Sequence, residues 1–393
     1  GLPYAGLAAI IDVDEDKEII FGDELTMDHI VWMGIQPALC EKAQRVGVTE
    51  TRPAADLKKY LEKAVAKRQV IHYLPVYRAE HRLKLLDWLD IKLGMEQPSV
   101  PFIRGVVNIR NYKTAEELVE IERACNVTAD MHITAMKVLR IGMKEWEVVA
   151  ALEAVAQANG CGFSFPIATV CGQTLHNHYH GHTVKSGDML LVDAGAETEM
   201  GYAGDMSSTI CADKTFTIRQ KEVYDIQVAA HTAAVRALKP CRVICEGLKG
   251  LGIMKGDPAE AVAVGAHAMF FPCGLGHMMG LDVHDMENLG EVWVGYDGQP
   301  KSTQFGRKSL RLARPLEPGF VLTIEPGIYF IPELIDYWKA EKRFKDFINY
   351  DKLESYRDFT GLRNEEDYLI TEDGARLLGK KVPFTTEEVE ALR

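Results

Sequence analysis

The sequence predicts an α/β (α+β) protein in two parts: a small α/β domain over residues 1–105, then a larger domain over 106–393 with a mixed, mainly antiparallel sheet covered by helices. Three observations carry this. Short strand-like runs alternate with helical ones in the first hundred residues. A segment with two prolines, "QPSVPFIRGVVNIRNYK", then interrupts the pattern and leads into a long helical stretch. From about residue 165 the chain turns to runs rich in Val, Leu, Ile and Thr, separated by glycine turns.

In order, "GLAAIIDV", "KEIIFG" and "QVIHYLPV" read as strands, with "PAADLKKYLEKAVAKR" and "EHRLKLLDWLDIKLG" as helices among them. A long helix begins after Thr114. This residue is a good N-cap with Glu117 three positions on, and Leu118, Ile121, Ala124, Cys125, Met131, Ala135 and Val138 recur at helical spacing, Thr128 being the polar member of that face. Two further helices are expected at 219–237 and 257–270. "DMLLVDAGAETEMGYAGDMSSTI" reads as a hairpin of strands 189–194 and 202–210 closed by "ETEMG".

Composition narrows the function. Lys plus Arg total 45 against 57 Asp plus Glu, a formal charge of -12 without a basic patch, so nucleic acid is excluded as a partner. No apolar run reaches the roughly 18 residues of a membrane span. The eight cysteines are scattered without the paired spacing of a zinc finger, which points to reduced thiols and a cytoplasmic protein. The chain opens on Gly1 and enters a strand almost at once, so a leading segment is expected to have been removed or left out.

The chemistry concentrates in four places. If the hairpin is symmetric about residue 199, Asp193 faces Asp205, and opposed carboxylates destabilise a hairpin unless a cation lies between them. "FVLTIEPGIYF" puts Glu325 at the end of an apolar strand stopped by proline. In "GLRNEEDYLIT", alternation sets Glu365 and Asp367 on one face and Glu366 and Tyr368 on the other, so at least one acid points inward. "PCGLGHMMGLDVHD" packs three glycines around His277 and ahead of His284, the composition of a segment whose main chain is closely approached. Four ionised carboxylates and one imidazole match two divalent cations with a hydroxide between them, and an oxygen-rich set with one histidine suits Mn²⁺, Co²⁺, Fe²⁺ or Zn²⁺.

These motifs, in this order, resemble the metallopeptidases of the pita-bread fold, over about residues 105–385. The part before them resembles a shortened form of the domain that precedes the catalytic one in two branches of that family. The resemblance implies that Asp193, Asp205, His277, Glu325 and Glu365 ligate two metal ions, with manganese the expected metal. Glu365 is selected over Glu366 by its spacing to Thr371. It also implies that Arg363 lies beside the site and touches substrate. His176 in "TLHN" and His284 in "DVHD" become the histidines that reach the scissile bond, with Glu325 taking the proton of the attacking hydroxide. His178, His180 and His182 are read as an exposed loop.

Within the family the C-terminal motifs look most like the prolidase branch, which cleaves Xaa-Pro dipeptides. The aminopeptidase P branch, acting on longer peptides, is the alternative, and a pita-bread binding protein without activity is the rival from another class. Arg311, fourteen residues before Glu325, falls where prolidases carry an arginine suited to the substrate carboxylate. A homodimer is implied as well. Three departures bear on substrate contacts: Cys273 stands where a histidine is usual, the loop from Cys171 to His176 is short, and "DMSSTI" lacks an arginine. By motif position Cys273 lies near the metals, as an inert thiol or as one acidified by the cations.

Overall fold

The computed structural model describes residues 2, 4–170, 181–237 and 239–393. They form two compact units, Gly1–Gly105 and Val106–Arg393. In the first, strand Ala8–Asp12 pairs antiparallel with Lys17–Phe21, which takes Glu50–Arg52 in parallel on its other edge. A parallel neighbour requires a crossover, and helices Met27–Met33 and Leu39–Gln44 lie within it. Alternation covers both faces of the central strand: Ile19 and Phe21 pack with Leu57, and Ile20 packs with Leu39 and Ala43. The expected helices form as Asp56–Ala66 and Ala79–Leu89. "QVIHYLPV" is not a strand. Pro75 has no amide proton for a ladder, and Tyr73 instead takes single bonds, its carbonyl from the Ser99 amide and its hydroxyl from the Gln97 amide.

In the second unit the long helix runs Ala115–Val138. Thr114 Oγ1 accepts from the Glu117 amide at 3.3 Å, and the Glu117 carboxylate accepts from the Thr114 amide at 2.8 Å. Ile121, Ala124, Cys125, Met131 and Ala135 are buried on the expected face, and the polar Thr128 among them has a task. Its hydroxyl donates to the Ala124 carbonyl at 2.8 Å and accepts from the Ala196 amide at 2.9 Å, pinning the helix to the strand region that carries Asp193. One turn on, His132 Nε2 donates to the Ala194 carbonyl at 3.1 Å.

Every named ladder of this unit is antiparallel among the described residues. Met189–Ala194 lies between Ala168–Val170 and Met206–Cys211. Glu366–Thr371 lies between Val321–Ile324 and Gly374–Leu377. Gly327–Tyr329 pairs with Gly361–Arg363, and a bridge from Ser207 to Glu365 joins the first ladder to the segment between the other two. Met189–Ala194 and Met206–Cys211 are buried at every position, so the polar residues in them need partners inside the protein. The expected helices appear as Ile218–Val235 and Pro258–Val264. The second is shorter than its apolar pattern because Gly265, at φ +93°, ends it, and Ala266–Met269 continues as a 3₁₀ turn.

That turn buries His267, whose pKa burial lowers from its ordinary value to about 4, with Arg307 acting in the same direction. An unfolded histidine titrates near 6.5. Between about pH 4 and 6.5 the unfolded chain therefore holds a proton that the folded chain lacks, so this residue's contribution to stability falls as the pH falls through that window. In urea titrations from pH 7 to 4.5, a His267→Gln variant is expected to lose less stability than wild type. Parallel curves for the two proteins would show that His267 is not a source of the slope.

Candidate metal centre

Four strand ends and one glycine-rich segment bring the acids together. The hairpin register corrects the symmetric expectation: Asp193 pairs with Ser207 and Ala194 with Met206, so Asp205 does not face Asp193 directly. The turn closes between Thr198 and Tyr202, with Gly201 at φ +84°, which moves the centre of the hairpin onward. The displacement is two residues along one strand, and a slip of two preserves the face. Asp205 is thus the diagonal neighbour of Asp193, on the same side, just before its strand begins.

His277 enters from the glycine-rich segment, which runs alongside Val321–Ile324. The Thr323 amide donates to the His277 carbonyl at 3.0 Å and the Glu325 amide to the Leu275 carbonyl at 2.8 Å. A Cβ on Gly276 would stand 2.0 Å from the Thr323 carbonyl oxygen, and one on Gly274 3.0 Å from that of Ser309. The close approach inferred for these glycines is therefore to neighbouring backbone. His277 Nδ1 lies 3.0 Å from the Met278 carbonyl, which can only accept, so Nδ1 carries the proton and Nε2 is left as the free electron pair. That nitrogen sits 3.3 Å from Asp205 Oδ2 and 3.9 Å from Glu325 Oε1.

Asp205, His277 and Glu365 each offer a ligand atom, all within 4.8 Å of one another, and all three residues are buried. Burial first, then the neighbouring carboxylates, push Asp205 and Glu365 well above the usual carboxylate range. Asp205 Oδ1 is buried without a hydrogen-bond partner among the described residues. Buried acids crowded on one imidazole, with an orphaned oxygen among them, form a donor set that divalent cations fit. Glu366, the alternative to Glu365, points elsewhere: its carboxylate accepts from the Tyr368 hydroxyl at 2.6 Å.

Arg363, expected at the substrate, lies inside the cluster with 1% exposure. Its Nη2 donates to Asp193 Oδ2 at 2.5 Å, Nη1 to the Tyr329 hydroxyl at 2.8 Å and Nε to Ser207 Oγ at 2.9 Å. Its guanidinium thus faces an acid and two hydroxyls of the protein, the geometry of a clamp on the cluster. Ser207 in turn donates to Glu365 Oε2 at 2.8 Å, which makes it the hub between arginine and acid. Composition offered a signal for it, since 205, 207 and 209 alternate onto one face of a strand whose apolar run is broken by "SST". Asp367 also escaped notice as a support: it accepts from the Asp205 amide at 3.0 Å and the Cys125 thiol at 3.1 Å, and burial raises its pKa to about 7.

At the mouth, the rings of His284 and His277 meet edge to face with centroids 4.4 Å apart. His284 Nδ1 lies 2.9 Å from Glu287 Oε2, and Arg311 Nη2 donates to Glu287 Oε1 at 3.3 Å. Burial, then His277 and Arg311, lower the pKa of His284 to about 4 against the pull of Glu287. His176, with His178 and His180, lies outside the described residues. His182 is half-exposed, with Nδ1 3.0 Å from Glu145 Oε2. Cys273 lies within the field of Glu325, Arg363 and Glu365, and burial pushes its thiol far above the ordinary range.

Residues 119–372 match the model of metallopeptidase family M24, and residues 1–72 that of the aminopeptidase P N-terminal domain. The chain belongs to family M24. It is 31% identical to a human Xaa-Pro dipeptidase over 415 aligned positions, covering all of this chain and 82% of the relative. It is 34% identical to the Xaa-Pro aminopeptidase of Escherichia coli K12 across 74% of this chain and 61% of that one. Among solved structures, a variant E. coli aminopeptidase P in complex with substrate superposes with a TM-score of 0.79 at 29% identity, covering 98% of this chain and 84% of that one. An aminopeptidase from Pseudomonas aeruginosa gives 0.76 at 26%, covering 95% and 82%. This M24 chain therefore has the pita-bread fold with an aminopeptidase P type N-terminal domain, and it is a metallopeptidase that uses divalent ions.

The bond from Ser207 to Glu365 generates a direct test. In Ser207→Ala the Glu365 carboxylate and Arg363 Nε both lose a buried partner, which costs about 1–3 kcal/mol. Divalent metal affinity, read by titration calorimetry on the folded variant, is expected to fall about 10–100-fold, the usual effect of removing a group that orients a ligand. Unchanged affinity would show that Glu365 needs no such support.

Proposed function

We propose that this M24 chain is an Xaa-Pro dipeptidase that holds two divalent ions, manganese fitting the oxygen-rich set best, on Asp193, Asp205, His277, Glu325 and Glu365. When bound, the ions supply Lewis acidity for the scissile carbonyl and acidify water. The chain's own residues do the rest. His277 is fixed by its Nδ1 proton so that Nε2 faces the acids. Arg363 and Ser207 hold Asp193 and Glu365 in place. Glu325, at the end of its strand and 18% exposed, is the acid best placed to accept a proton from water. His284, at the mouth, is assigned to the developing oxyanion, and His176 shares that role by its motif position alone. Proline suits this chemistry, because its nitrogen has no hydrogen and attack needs only the carbonyl carbon.

The observation that carries the dipeptidase reading is the place of Arg311. It lines the same small pocket as His277, His284, Glu287 and Glu291, at the mouth of the cluster. A guanidinium there can hold the free carboxylate of a C-terminal proline with two charge-assisted bonds, whereas an aminopeptidase must let the peptide continue through that space. The 34% identity to an Xaa-Pro aminopeptidase supports the second reading, action on longer peptides. We also propose a homodimer in a reducing, cytoplasmic setting. All seven described cysteines are free, and no helix of the described residues is long and apolar enough to cross a membrane.

Two outcomes are expected. Chelator treatment abolishes Xaa-Pro hydrolysis, Mn²⁺ restores it, and Asp205→Asn and His277→Ala fail to recover with metal; full activity in metal-free wild type refutes the assignment. On Xaa-Pro dipeptides, Arg311→Ala lowers kcat/KM about 10–100-fold, the loss of a charged hydrogen bond of about 1.5–3 kcal/mol, and leaves cleavage of Xaa-Pro-Xaa tripeptides nearly unchanged. A wild type that prefers tripeptides moves the chain to the aminopeptidase reading.

A further inference from the structure

Beside Arg311 stands an acid to which neither the fold nor the metal chemistry assigns a part. Glu287 follows the loop that carries His284, at the start of a 3₁₀ turn. One of its oxygens lies 2.9 Å from His284 Nδ1, and the other accepts from Arg311 Nη2 at 3.3 Å. A single carboxylate thus links a side chain proposed to face the scissile bond to the one proposed to read the substrate's end. Arg311 is further drawn to Glu291 Oε1, 3.5 Å from its Nε, and Glu291 also holds Lys301. The two cations and two acids at this mouth offset one another.

The loop does not need Glu287 for its own shape. Asp285, next to His284, is buried and takes Lys113 Nζ at 3.0 Å and Arg110 Nη2 at 2.5 Å, while its amide donates to the Met278 carbonyl at 2.9 Å. That ion cluster anchors the segment from below. Among the described residues, the Glu287 side chain, 43% exposed, bonds only to its two functional neighbours.

We propose that Glu287 is a positioning and specificity residue, a built-in competitor for the substrate's carboxylate. In the free protein its Oε1 occupies the guanidinium of Arg311, and its Oε2 holds the Nδ1 proton of His284 so that Nε2 faces the scissile bond. The terminal carboxylate of an Xaa-Pro dipeptide displaces Oε1 from Arg311, while Oε2 stays on His284. A substrate without that charge leaves the bridge intact. The competition weakens binding of dipeptides, and the same side chain secures the histidine. This inference rests on the carboxylate-reading part proposed for Arg311.

The test is a kinetic comparison of wild type, Glu287→Gln, Glu287→Ala and Arg311→Ala, each loaded with Mn²⁺, on an Xaa-Pro dipeptide and on the same dipeptide as its C-terminal amide. Glutamine keeps an acceptor for His284 but not the charge. In Glu287→Gln, KM for the dipeptide is expected to fall about 2–5-fold, the range for removing a partly exposed ion-pair competitor, with KM for the amide unmoved and kcat lowered equally on both substrates, by less than in Glu287→Ala. Glu287→Ala is expected to show the same fall in dipeptide KM together with a kcat lower by about tenfold on both substrates, the loss of one hydrogen bond to a charged partner. Dipeptide KM unchanged or raised in both Glu287 variants, with Arg311→Ala still erasing the preference for the free acid, overturns this proposal alone. An Arg311→Ala protein that keeps its preference for the dipeptide over the amide overturns the reading of Arg311 and the competition with it.

Discussion

The rest of this structure depends on keeping buried carboxylates close together. Burial first, then neighbouring carboxylates, drive Asp205 and Glu365 far above the usual acid range: Asp193, Asp367 and Glu325 act on the first, and Asp205, Glu325 and Asp193 on the second. Like charges at this separation disfavour any fold that places them so, unless opposite charge and hydrogen-bond donors are built in around them. Arg363 is the built-in part: it is wholly buried, and the neighbouring hydroxyls and acids hold it charged. Divalent ions supply the remainder in a family M24 chain.

A polar layer beneath the cluster follows from that constraint. Thr209 Oγ1 donates to the Arg363 carbonyl at 2.9 Å, and its amide donates to Asn364 Oδ1 at 3.0 Å. Asn364 Nδ2 donates to Gln227 Oε1 at 2.7 Å, and Gln227 Nε2 reaches the Pro326 carbonyl at 2.7 Å. The segment just before Glu365 is thereby tied to the turn after Glu325 through the helix Ile218–Val235. Buried polar groups in such number rigidify a site only when each is satisfied, and here the partners run in an unbroken chain. Glycine does the complementary work, since Gly276 lets the His277 segment lie against Thr323 at a distance no side chain allows.

Chemistry at the mouth is less buried and more adjustable. His284, Glu287, Glu291 and Arg311 are linked by charge over partly exposed side chains, so their bonds are weaker than those of the cluster and can be exchanged with substrate. A rigid set of acids with an exchangeable rim separates two tasks, holding cations and choosing peptides, onto different residues.

The sequence by itself determined the long helix with its cap, the faces of the hairpin strands and the side on which each acid falls, but not the helices Val100–Asn111, Glu145–Ala158, Pro240–Gly250 and Pro332–Ala340. Alternation and the 3.6-residue repeat are local, and Thr114 with Glu117, or Asp205 with Ser207 and Thr209, declare their sides within a few positions. It also determined which glycines had to be approached closely, though not by what. Tertiary structure decided the rest. The register of the hairpin followed the turn that closes at Tyr202 rather than the symmetry of the two strands. "QVIHYLPV" found single partners in place of a ladder. Arg363 turned to Asp193, and Glu287 came to lie between His284 and Arg311, because partners 24 to 170 residues away in the chain arrive only when the sheets close. Local pattern fixes which face a side chain takes, and only the assembled fold fixes what stands opposite.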